Sequence, residues 1–325
     1  MNFITRSTEH HRKSLVLRLL LAGFALVLAF LGLCPAIFAQ SPNPAASGSA
    51  KDNPEGFTTG WTLGTRFEGS YSSDGGIYDV GSAVGYNFSR HFGIDLGVPL
   101  LFVNTPSKIK ASNPGAVSGI GIGSFFTDLR WNYPNKSLNF SPAVHLTAPT
   151  GDKKKGFSVG HVTWNETNHF DHAFGNFSPF LDAGVGNSLM DTKFFKRPFI
   201  TFGNNAQFEG GLEYDRGKFS FSASLYDVAP WGSQTVISKV FRCSSAAKCS
   251  ATGTTTNRTS FTTASVSTGG ADLTRDNGFN AGVDYKPIGY LDLEFGFSRS
   301  VPLRLNSYSF GIGVDLSGLL RPRVR

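Results

Sequence analysis

Charged side chains recur in this chain at a spacing of two or four residues: Arg66 with Glu68, Asp128 with Arg130, Glu209 with Glu213, and Asp292 with Glu294. Asp95, His145, Asp284 and Asp315 stand among residues of the same alternation. In an extended chain, residues two or four apart share a face, so each set would project its charge to one side. With Asp79 and Asp182 added, that side carries eleven carboxylates against Arg66, Arg130 and His145. A surface of this kind disfavours anions and accepts cations or neutral molecules. The competing reading is that Arg66 and Arg130 pair with carboxylates across a mostly filled interior.

Other chemistry-bearing groups read as less specific. His169-Phe170-Asp171-His172, with His161, has metal-ligand residue types, but a short turn need not converge the rings, and a solvated turn is the reading preferred. Lys153, Lys154 and Lys155 suit a solvated loop, with contact to anionic headgroups or sugars as the alternative. Gly119, Gly121 and Gly123 lack phosphate-cradle spacing and no helix follows, so they imply a bent or crowded strand. Asn165-Glu166-Thr167 is a chance match in a chain rich in those residues. A barrel phospholipase would need serine, histidine and asparagine near one strand edge, and no such run is present, so no catalytic residue and no cofactor is assigned.

The elements that carry the charged face are strands. Trp61, Leu63, Thr65 and Phe67 alternate with Thr62, Gly64, Arg66 and Glu68. The same period-two pattern, apolar on one face and polar or small on the other, recurs along the chain. It predicts an all-β protein: a transmembrane antiparallel up-and-down β-barrel of about 12 strands. The predicted strands lie near 61–71, 78–88, 92–102, 119–131, 138–148, 157–168, 177–185, 208–214, 219–229, 279–285, 291–297 and 307–317. In the last one Tyr308, Phe310, Ile312, Val314 and Leu316 oppose Ser307, Ser309, Gly311, Gly313 and Asp315. An edge strand this greasy invites aggregation unless it closes a barrel against the first strand.

Connections separate by length. Those at 73–76, 104–117, 149–156, 187–201, 230–273 and 302–305 include all the long ones and read as outer loops, whereas the others are short turns. Short turns at one end and longer loops at the other are the pattern of outer-membrane barrels. The apolar face would then meet lipid, and Arg66, Glu68, Asp95, Asp128, Arg130, His145, Glu209, Glu213, Asp284, Asp292, Glu294 and Asp315 would line the lumen.

Composition agrees with this reading: glycine (38) and phenylalanine (30) are abundant, whereas charged residues make up only 16%. Residues 1–39 read as a signal peptide, with Arg6, Arg12, Lys13 and Arg18 before the apolar run Leu19 to Leu33. A retained anchor and a lipoprotein site at Cys34 are the alternatives. Residues 40–56 read as a flexible leader, 57–318 as the barrel and 319–325 as a short basic periplasmic tail. Removing the signal lowers the formal charge from +7 to +4, so basicity is no argument for nucleic acid. Cys243 and Cys249 then remain in a Ser/Thr-rich loop of an exported chain, where a disulfide is expected and two free thiols are the alternative.

Ala148-Pro149-Thr150-Gly151-Asp152, after the glycine-rich strand ending Thr127-Asp128-Leu129-Arg130-Trp131, resembles the outer-membrane barrels of the MetA-pathway of phenol degradation family. The resemblance spans about Gly119 to Val185; Thr127 stands where glycine usually precedes the aspartate, and the 230–273 loop departs from the pattern. It implies an outer-membrane protein that passes small hydrophobic or aromatic compounds. The sequence as a whole therefore predicts a channel or facilitator for small solutes in the bacterial outer membrane. Outer-membrane lipid and the barrel assembly machinery are its expected partners, and the oligomeric state stays open. The rival is a non-conducting barrel acting through its surface loops.

Overall fold

The structure is a computed structural model that describes residues 57–72, 75–104, 119–153, 156–239 and 266–316. Its strands, in chain order, are β1 (Gly60–Ser72), β2 (Gly75–Asn87), β3 (Phe92–Asn104), β4 (Gly119–Ile122), β5 (Phe126–Trp131), β6 (Asn139–Thr147), β7 (Thr163–Asp171), β8 (Phe177–Gly186), β9 (Phe199–Phe202), β10 (Asn205–Arg216), β11 (Phe219–Pro230), β12 (Gln234–Ser238), β13 (Val266–Gly269), β14 (Asp276–Ile288), β15 (Leu291–Ser300) and β16 (Leu305–Asp315). Thirteen of them form one antiparallel sheet that closes on itself. The closure runs from Gly64 opposite Asp315 to Ser72 opposite Ser307. Because β4 and β5 both pair with β3, they act as one interrupted stave, and the barrel has twelve.

Alternation decides which face meets which environment. On β16, Tyr308 is 61% exposed while Ser307 is 1% exposed, and the same inversion runs round the ring, with Leu225 and Phe295 outside and Asn280 and Ser298 inside. A water-soluble protein would place these faces the other way; an apolar exterior over a polar interior is the arrangement suited to lipid. Aromatic rings gather at the end with the short turns. Trp61, Tyr86, Phe88, Phe92 and Trp131 follow one another at centroid distances of 5.0–5.5 Å. The band continues through Tyr133, Phe140 and Phe170, then Phe177 with Tyr214 and Phe219 with Tyr285. Such a girdle marks a membrane–water interface. Among the described residues no helix is long and apolar enough to cross a membrane.

Three expected segments are placed differently. The predicted strand at 157–168 is observed as β7, beginning at Thr163. Phe157 and Val159 do not face outward; both are buried, and Phe157 packs with Ile77, Leu101 and Val103. The glycines of β4 make this possible, because a side chain at Gly121 would fall on the Phe157 ring. The predicted outer loops at 187–201 and 230–273 contribute β9, β12 and β13, which form a separate three-stranded sheet. The signal segment, the leader, Cys243, Cys249, Lys154, Lys155 and residues 319–325 lie outside the described residues.

Candidate functional site

The site is built by the segment 187–198, between β8 and β9. It is not a solvated outer loop as expected. Phe194, Phe195, Lys196 and Arg197 are all at least 92% buried, because the segment folds against the inner wall. The sequence Lys193-Phe194-Phe195-Lys196-Arg197 explains why. Its rings need an apolar surface and its cations need carboxylates, and the polar inner face supplies both.

Glycine provides the flat surface. Phe194 lies over Gly282 of β14 and Gly296 of β15, where any Cβ would meet its ring. The flanking cations are then brought to the wall. Lys193 Nζ donates to Asp284 Oδ2 at 2.6 Å and lies 3.3 Å from Glu294 Oε1. On the other side, Lys196 Nζ donates to Glu68 Oε1 at 2.5 Å and lies 3.9 Å from Asp79. The Lys196 backbone also exchanges hydrogen bonds of 3.1 Å with the Ser70 hydroxyl. Arg197 stacks on Phe195, donates to the Met190 carbonyl at 2.5 Å and approaches Asp276 at 3.7 Å.

Burial alone would lower the pKa of both ammonium groups. Glu294 and Asp284 around Lys193, and Glu68 and Asp79 around Lys196, outweigh it and hold both above the ordinary lysine range. Each lysine is therefore a firmly charged staple between the segment and the wall. Asp191 ties the segment upward, accepting from the Arg197 backbone N–H at 2.9 Å and from Lys239 Nζ at 3.2 Å.

Of the residues singled out in the sequence, Arg66, Glu68, Asp284, Asp292 and Glu294 meet in one network. Arg66 reaches Glu68 at 3.2 Å, Asp292 at 3.6 Å and Glu294. Oxygens of Asp284, Asp292 and Glu294 lie within 4.8 Å of one another, a grouping able to hold a cation and already neutralised by Arg66 and Lys193. A second group forms at the short-turn end. Arg130 pairs with Asp95, donates to Asn87 at 3.3 Å and covers the Phe57 ring at 4.8 Å. Asp128, fully buried, bonds His145 at 2.7 Å. Glu209 accepts from Ser224 at 2.5 Å and Asn280 at 2.9 Å. Glu213 lies on the same face of β10 as Glu209, and Asp315 sits at the end of β16.

The count of charges inside changes accordingly. Lys193, Lys196, Arg197 and Lys239 all come from segments expected to lie outside, and they oppose an interior excess of carboxylates that Arg66 and Arg130 alone left unbalanced. The histidine pair also separates: His169 faces inward on β7, 2.8 Å from Asp182 and 3.3 Å from Asp171, whereas His172 meets Phe174 edge to face.

The segment does not fill the barrel. It is fastened to β1, β2, β14 and β15, and beside the opposite wall it leaves a cavity of about 150 Å³ lined by inward residues of β7, β8, β10 and β11. A second cavity of about 90 Å³ lies along β6 and β7, reached by His145 and Asn165. Met190 and Asp191 line both and stand between them.

The described chain resembles an outer membrane channel from Pseudomonas putida F1, at 11% identity and a TM-score of 0.51 over 85% of this chain and 99% of that one. The KdgM porin (11% identity, TM-score 0.42, 77% of this chain and 98% of that one) gives a looser match. So does a deletion mutant of the TodX monoaromatic hydrocarbon channel (12%, 0.41, 87% and 95%). At these identities the first match supports the fold alone. No protein-family model and no curated protein matches the sequence.

Proposed function

We propose that this protein is an outer-membrane channel for small solutes. In this reading an exported chain sits in lipid with its short turns facing the periplasm, and solutes pass along the β5–β11 half of the wall, through the two cavities and past Met190. The observation that carries it is the one-sided docking of the 187–198 segment: it narrows the bore while leaving mixed polar and apolar space on the other side. A barrel used only as structure has no need to fold a cationic, aromatic segment inward and still leave space beside it.

The space suits molecules of about one aromatic ring, since a volume of about 150 Å³ is large enough for benzene. That size agrees with the small compounds implied by the phenol-degradation resemblance. Entry of small uncharged solutes into proteoliposomes tests the reading. Vesicles carrying the protein should admit ring-sized neutral solutes faster than protein-free vesicles and exclude trisaccharides. Equal rates with and without protein would leave the non-conducting alternative.

A further inference from the structure

Within the larger cavity the charges are unevenly answered. On the segment's side, the cations have their ion pairs with other carboxylates: Lys193 with Asp284 and Glu294, and Arg197 with Asp276. On the wall side stand Asp182, Glu209 and Glu213. Asp182 is answered by His169. Glu209 has hydrogen bonds only from neutral groups, the Ser224 hydroxyl and the Asn280 amide. Those donors orient the carboxylate, and Arg197 attracts it only from a distance, without a hydrogen bond.

Two further features bear on a ligand. Ser222 Oγ lines the same cavity, is removed from solvent and has no hydrogen-bond partner. Phe180 and Phe194 supply ring faces, and Met190 supplies an adaptable apolar surface. A bare metal ion would be a poor match for so much apolar lining. A solute with an ammonium head and a compact apolar or aromatic body matches this lining: its charge to Glu209 and its body against the rings, with the Ser222 hydroxyl further along the same wall.

We infer that the cavity beside Glu209 is a binding site for small organic ammonium compounds, of the size of one ring bearing a primary amine. The inference rests on the channel reading, since the cavity lies on the proposed path, but its test does not require conduction. Binding of three isosteric probes to the purified full chain in detergent would be measured by calorimetry near neutral pH: benzylamine, benzyl alcohol and benzoate. Benzylamine should bind about tenfold or more tightly than benzyl alcohol, with benzoate weakest.

Glu209→Gln keeps an acceptor for Ser224 and Asn280 and removes the charge. It should bring benzylamine down to the affinity of benzyl alcohol and leave benzyl alcohol unchanged. Equal binding of the three probes by the wild-type chain, or tightest binding of benzoate, overturns the inference without any variant. An undiminished preference in a folded Glu209→Gln chain also overturns it. Amine binding by a barrel that never conducts would sink the channel reading and leave the site standing; conduction without amine preference would do the reverse.

Discussion

Lys196→Met tests how the inward segment is held. Methionine keeps most of the length and apolar stem and removes the charge. The substitution leaves Asp79, 0% exposed, without its lysine and Glu68, 6% exposed, with Arg66 as its remaining cation. Breaking one partner out of a buried pair costs about 3–5 kcal/mol. At about 1.4 kcal/mol per factor of ten, the docked segment should open roughly 10² to 10³·⁵ times more often. The cost falls on the segment and not on the wall, because Glu68 and Asp79 remain in fully laddered strands. Hydrogen exchange followed by mass spectrometry in detergent reads this directly. The amides of Leu189, Phe195 and Arg197, which donate to Thr201, Thr192 and Asp191, should exchange faster by that factor. Amides of β1, β2, β15 and β16 should keep their rates. Unchanged exchange in the segment would refute the staple, and equal acceleration in the wall strands would show that the pair holds the barrel instead.

Other expectations concern the same contacts and the chain ends. Gly296→Leu puts side-chain atoms where Phe194 rests, an overpacking of about 1–3 kcal/mol, and should also speed exchange in the segment while the barrel stays resistant to detergent at room temperature. The lysine staples have a defined pH window. Both ammonium pKa values lie above the ordinary 10.5, so their contribution is fully present below that value and is lost only as pH rises through the raised values. Segment protection, corrected for intrinsic exchange, should therefore not fall between about pH 7 and 10; a loss centred near pH 8 would contradict the assignment. Peptide mapping without reductant should recover Cys243 and Cys249 as one linked species, and two alkylatable thiols would exclude the bridge. Deleting residues 319–325 should leave heat-modifiable migration on detergent gels intact, and failure of assembly would mean that β16 needs its tail.

The wall was legible because a strand half in lipid and half in water has no choice about alternation. Ser307 to Asp315 shows it residue by residue, and the closing pair with β1 follows from leaving no edge unpaired. What period two could not show was the content of the barrel. Lys193 to Arg197 has no periodicity to betray its destination, and a loop is ordinarily assumed to be solvated. Two signals did exist: paired phenylalanines between cations are costly in water, and an interior with eleven carboxylates and two arginines calls for cations from somewhere. The Gly282 and Gly296 positions became meaningful only once a ring was seen to rest on them. The strand at 157–168 was misplaced for a related reason. Phe157 and Val159 carry the alternation of a wall strand, yet they are spent on covering the interior, and the polar run Asn165, Thr167, His169 and Asp171 is the real inward face.

Single-channel recording in planar bilayers bears most directly on the central claim of a pore narrowed by the 187–198 segment. The wild-type chain should give small, discrete conductance steps. Replacement of Lys193 to Arg197 by Gly-Ser-Gly-Ser-Gly should give larger steps from an otherwise intact barrel. Silence from both proteins, each shown to be inserted and folded, would contradict the claim, as would identical steps from the two.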